Sequence, residues 1–175
     1  LFNAGLIYEQ DLKEYELAMR QFERLIDTFP QSDYVDQALV RIAVNAKRFF
    51  DFDKAISTFL LLHQRDFADP ELVEHPLFDA ALWMQYSQQY ERAAETYAQF
   101  TRENSRNAYA PLTLYRAGKM YLEAGQSEQA FDYFERYRDT YGDVSNQFID
   151  ADYAVLDTLV DELDYMKENG TERQV

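Results

Sequence analysis

Apolar residues recur three and four positions apart along most of the chain, and the runs that carry them come in pairs. The leading members of the pairs span Leu1–Glu9, Val35–Arg48, Leu77–Gln89 and Leu112–Ala124; the trailing members span Tyr15–Leu25, Phe52–Leu62, Tyr90–Phe100 and Ser127–Tyr137. This spacing gathers the apolar residues on one stripe of an α-helix, so the chain is expected to be all-α, with eight helices arranged two by two. Turn-forming clusters divide the pairs: Pro30-Gln31-Ser32, Ala68-Asp69-Pro70, Asn104-Ser105-Arg106-Asn107 and Gly142-Asp143. A ninth periodic stretch, with Ser145 as its cap and Phe148, Val155, Leu156, Leu159, Leu163 and Met166 as its stripe, predicts a further helix over about 145–168.

The pairs repeat one another. Each trailing helix carries an alanine, an aromatic residue four positions on and a large apolar residue three further: Ala18-Phe22-Leu25, Ala55-Phe59-Leu62, Ala93-Tyr97-Phe100 and Ala130-Phe134-Tyr137. The alanines lie 37, 38 and 37 residues apart. A fixed period of this length is the signature of a stacked array, in which a hairpin that cannot bury its own stripe packs against its neighbours. The repeats are read over about 1–33, 34–72, 75–110 and 111–143, in a single domain that includes the C-terminal helix as a cap. Because the chain opens inside a helical pattern at Leu1, it is expected to be a piece of something longer.

The fourth pair resembles the tetratricopeptide repeat: Leu114, Ala117-Gly118, Tyr121, Gly125, Ala130 and Phe134 fall on the signature positions of that family. The first copy keeps Gly5 and Tyr8, with one residue more between Tyr8 and Ala18 than between Tyr121 and Ala130, which places an extra residue in that turn. The middle copies put Ala43 and Ala46, and Ala81 and Met84, where the fourth has glycine and tyrosine. The resemblance implies a right-handed superhelical solenoid of about four helix-turn-helix repeats with a capping helix. Gly118 is then the point where two helices approach closely, and Gly125 a turn with a positive φ that is expected to tolerate little besides Asn.

Charge removes some partners. The chain holds 17 basic and 32 acidic residues, a net charge of −15, which opposes binding to nucleic acid or to an anionic membrane surface. Nine acidic and two basic residues fall from Asp143 onward, so the last helix is read as a solvated cap, with an acidic docking element for a basic partner as the alternative. No run is long and apolar enough to suggest a membrane span. The chain has no cysteine and two histidines, His63 and His75, neither in a metal-binding spacing. Asp51-Phe52-Asp53 and Asp150-Ala151-Asp152 start like a calcium loop but lack its glycine and closing glutamate. No nucleophile motif or phosphate-binding glycine loop occurs, so the expectation is a protein that is not an enzyme and takes no cofactor or metal.

In tetratricopeptide arrays the leading helices line a concave groove. Carried onto this chain, the groove positions are Phe2, Leu6, Glu9 and Gln10; Val40, Val44, Lys47 and Arg48; Phe78, Leu82, Gln85 and Tyr86; and Tyr115, Lys119, Leu122 and Glu123. Val44, Lys47, Arg48, Phe78, Leu82, Gln85, Tyr86, Tyr115, Lys119 and Leu122 are the expected partner-binding residues. The pairs Phe2/Leu6, Val40/Val44, Phe78/Leu82 and Tyr115/Lys119 do not supply the lysine and asparagine of a carboxylate clamp, which favours a protein or peptide partner with apolar anchors. The stretch LIDTFPQSDYVDQAL, with Pro30, Ser32, Tyr34 and Ala38, is similar to the longer repeats of bacterial envelope proteins such as the barrel-assembly lipoprotein and the Tol-Pal coordinator. That similarity implies a periplasmic scaffold in a multi-subunit complex; the alternative is a sensor or regulatory domain of a larger cytoplasmic enzyme or transcription factor.

Overall fold

A computed structural model of the chain describes residues 1–67, 69 and 71–142. The expected helix over 145–168 lies outside the described residues. Eight α-helices are found among the described residues: α1 (Phe2–Leu6), α2 (Tyr15–Thr28), α3 (Val35–Arg48), α4 (Phe52–Gln64), α5 (Pro76–Tyr86), α6 (Tyr90–Glu103), α7 (Ala110–Glu123) and α8 (Ser127–Tyr141). Their backbone divides into two compact units, Leu1–Gln88 and Gln89–Val175, with the division between α5 and α6. In the first unit α1 packs on α2, α2 on α3, α3 on α4 and α4 on α5; in the second α6 packs on α7 and α7 on α8.

The twelve residues of the alanine-aromatic-apolar pattern form the spine of both cores. Ala18, Phe22, Leu25, Ala55, Phe59 and Leu62 in the first unit, and Ala93, Tyr97, Phe100, Ala130, Phe134 and Tyr137 in the second, are all buried. In α2, α4 and α8 alanine keeps the helix close to the one before it, and the ring one turn later fills the remaining space. Two of these rings sit over glycine. A Cβ added to Gly118 would stand 2.7 Å from Phe134 Cε1, and one added to Gly5 would collide with the Phe22 ring. The middle copies set Ala43 and Ala81 at this register, both fully buried.

A left-handed residue stands five positions before each core alanine: Lys13 (φ 58°), Phe50 (φ 54°), Gln88 (φ 60°) and Gly125 (φ 76°). Asp51 caps α4 by accepting a hydrogen bond from the Lys54 amide at 3.2 Å, which gives the Asp51-Phe52-Asp53 segment its local role. Pro76 opens α5, where its missing N–H costs nothing.

The extra residue of the first copy is absorbed in the helix rather than in the turn. α1 runs on into a π-helical segment, Ile7–Asp11, that ends with the Leu12 amide bonded to the Ile7 carbonyl at 3.1 Å. One added residue widens one helical turn, which leaves Lys13 and Ala18 in the same relation as in the other hairpins.

Candidate protein-binding face

The leading helices of the first unit are joined side by side through charge. Glu9, carried on the π-helical turn and only 7% exposed, accepts hydrogen bonds from Arg41 Nη1 at 3.1 Å and Asn45 Nδ2 at 2.9 Å on α3. One repeat further on, Lys47 of α3 donates to Asp79 of α5 at 3.5 Å. Both pairs span 32 residues, and Lys47 and Asp79 stand 38 positions after Glu9 and Arg41. The second pair is therefore the first with its charges exchanged. Burial pushes the Asp79 carboxyl above the ordinary carboxylate range, and the nearby Lys47 ammonium pulls it back in part.

Around Lys47 the rings gather. Its ammonium lies 5.6 Å from the centre of the Phe59 ring and 5.8 Å from that of Trp83. Trp83 in turn touches Phe52 and Tyr86, with ring centres 5.6 and 5.5 Å apart. A helix advances about 100° per residue, so on α3 Val44 falls between the side that meets Glu9 and the side that meets Asp79. Leu82 holds the matching place on α5, beside Asp79 and Tyr86. Val44 and Leu82 are half-buried, and Tyr86 is 61% exposed. The face offers two aliphatic side chains and one tyrosine edge on helices whose relative position is held by an ion pair.

The expected groove residues divide accordingly. Val44, Lys47, Leu82 and Tyr86 meet on this face of the first unit. Phe78 and Gln85 are on α5 and half-buried. Arg48 leaves the face, its guanidinium 4.7 Å from the centre of the Tyr15 ring on α2. In the second unit Lys119 and Leu122 are half-buried on α7. Tyr115 requires a correction: it is 1% exposed, with its ring 5.8 and 6.0 Å from Phe134 and Tyr137, so it belongs to the core. Val40 and Glu9, also carried over as groove positions, are buried as well. Asp79 and Trp83 were not foreseen. Their signal lay in the period: adding 38 to Glu9 and Arg41 brings up an oppositely signed pair at the same separation.

Among the described residues no group of three or more histidine, aspartate or glutamate side chains is placed to hold a metal ion. No helix among them is long and apolar enough to cross a membrane.

Successive helices with a repeated alanine-aromatic-apolar core define a helical-repeat protein. The tetratricopeptide repeat family model matches residues 1–32 and 112–143, the two copies in which glycine lies beneath the ring. Both segments are thus similar to the tetratricopeptide repeat, a type of repeat that generally mediates contacts between proteins. No curated protein matches the chain.

Proposed function

We propose that the protein is a non-catalytic scaffold that holds an apolar or amphipathic segment of another protein, or a partner subunit, against the face of α3 and α5. The observation that carries this reading is the exposed Tyr86 beside half-buried Val44 and Leu82, on two helices tied together by Lys47 and Asp79. Apolar anchors on a preformed surface lower the ordering cost of binding and leave specificity to their spacing. The cellular setting is a bacterial envelope complex in the periplasm, which the likeness of Leu25–Leu39 to envelope repeat proteins supports.

The double change Leu82→Ala with Tyr86→Ala tests the face. When the full-length protein is crosslinked and recovered from its native cells, the variant is expected to lose about tenfold or more of its partner, the cost of removing a central anchor pair. Its helicity and melting temperature are expected to stay close to the parent's, and unfolding of the variant would make both residues part of the core. Fractionation of the same cells checks the compartment: recovery from the cytoplasm contradicts the envelope reading without touching the binding face.

A further inference from the structure

Three leading helices turn one side toward the helix before them: α3 lies on α2, α5 on α4 and α7 on α6. That side carries Leu39 and Asn45 on α3, Leu77 and Trp83 on α5, and Leu114 and Met120 on α7, all of them buried. Asn45 reaches back to Glu9, and Trp83 meets the Phe52 ring of α4. On α1 the same register holds Leu1 and Ile7, with Ala4 between them, and there the side is open. Leu1 is 37% exposed and Ile7 51%, while Ala4 is half-buried.

Two more positions obey the same register. Arg41, Asp79 and Arg116 each bond to a helix or turn earlier in the chain, through Glu9, Lys47 and Tyr97, and their counterpart on α1 is the exposed Asn3. Lys54 of α4 donates to Glu23 of α2 at 2.6 Å, and its counterpart on α2 is Leu17, 37% exposed. The edge made by α1 and α2 therefore carries Leu1, Ala4, Ile7 and Leu17, with Asn3 as its polar member. A repeat that ends an array turns a polar face to water, whereas this edge has the composition of a junction between repeats.

We propose that this edge is such a junction, and that its occupant is the trailing helix of a further helical pair carried by the same polypeptide ahead of Leu1. The matching edges show what covers a surface of this kind: α2 on α3 and α4 on α5, each a helix with the alanine-aromatic-apolar pattern. A turn as short as the one from Thr28 to Val35 holds a connected helix at an effective concentration of about millimolar, so the contact needs little affinity of its own. A second copy is the poorer occupant, because each chain brings a net charge of −15. The leading helix of the added pair comes beside Asn3, which extends the row of leading helices beyond α1. The inference does not rest on the face of α3 and α5.

The test compares the chain Leu1–Val175 with the whole polypeptide that its native gene encodes. The chain has no cysteine, so Ile7→Cys, or Leu61→Cys on the exposed side of α4, adds a single thiol, with any cysteine elsewhere in the encoded polypeptide changed to serine. Maleimide labelling of Ile7→Cys is expected to be at least about tenfold slower in the encoded polypeptide than in Leu1–Val175, while Leu61→Cys reacts equally fast in both. The gene is expected to encode an alanine 37 or 38 residues before Ala18, an aromatic residue four positions on and a large apolar residue three further. Ile7→Asp is expected to lower the Tm of the encoded polypeptide and to leave that of Leu1–Val175 unchanged. Equal labelling of Ile7→Cys in the two, an unchanged Tm in both, or a gene with no helical pair ahead of Leu1 would overturn the proposal. Labelling of Leu1–Val175 that slows as its concentration rises would make a second copy the occupant, and protection of the encoded polypeptide that appears only in native cells would make it another protein; either result contradicts the proposal.

Discussion

A single methyl group separates the two kinds of glycine in the fourth hairpin. Gly118 faces Phe134 so closely that a Cβ would stand 2.7 Å from the ring, while Gly125 has open space around it and a φ of 76°. Gly118→Ala is therefore expected to cost about 1–3 kcal/mol by overpacking, less whatever the better helix propensity of alanine returns. Gly125→Ala is expected to cost about 1 kcal/mol from backbone strain alone. Urea unfolding of both variants checks the difference, and equal losses with unchanged Phe134 packing would contradict it. The structure also revises the expectation that only Asn could replace Gly125: Lys13, Phe50 and Gln88 hold the same left-handed position before the other core alanines. Those residues carry no turn signal of their own, which is why the shared turn conformation was legible only where glycine fills it. Tyr115 shows a related limit. Periodicity put it on the leading helix, but only packing could show that its ring turns toward Phe134 and Tyr137.

Between elements, charge sets how adjacent leading helices are joined. Glu9 with Arg41, and Lys47 with Asp79, make the same connection in successive repeats with opposite polarity. Removing Glu9 leaves the partly buried Arg41 and the buried Asn45 without their acceptor, so Glu9→Ala is expected to destabilise the fold by about 2–3 kcal/mol. Exchanging the charges reproduces the next register: Glu9→Lys with Arg41→Asp is expected to recover about 1 kcal/mol or more relative to the sum of the single changes. A double-mutant cycle in thermal or chemical unfolding measures the coupling, and additive losses would show that the two side chains do not act as a pair. The helix pairs and the buried alanine-aromatic-apolar pattern were readable because each repeat restates them. The ion pairs were not, because their charges invert from one repeat to the next and a residue-by-residue comparison sees no match. The added residue between Tyr8 and Ala18 was visible as a count, but not its place in the π-helical segment Ile7–Asp11, from which Glu9 accepts a hydrogen bond from Asn45 of α3.

At the scale of the molecule, net charge, repeat architecture and the exposed side chains of α3 and α5 favour the same kind of partner: a protein segment, not a phosphate backbone. The segments at residues 1–32 and 112–143 are similar to the tetratricopeptide repeat, a framework generally used for contacts between proteins. On the proposed face a partner would meet three side chains, Val44, Leu82 and Tyr86, on helices bridged by the Lys47–Asp79 ion pair. The most direct measurement is site-specific photo-crosslinking in native cells, with a photoreactive amino acid placed at Tyr86 and, for comparison, at Asp132 on the exposed side of α8. If the face of α3 and α5 holds the partner, position 86 yields a discrete protein adduct that is absent from position 132. No adduct from position 86, or the same adducts from both positions, would contradict it.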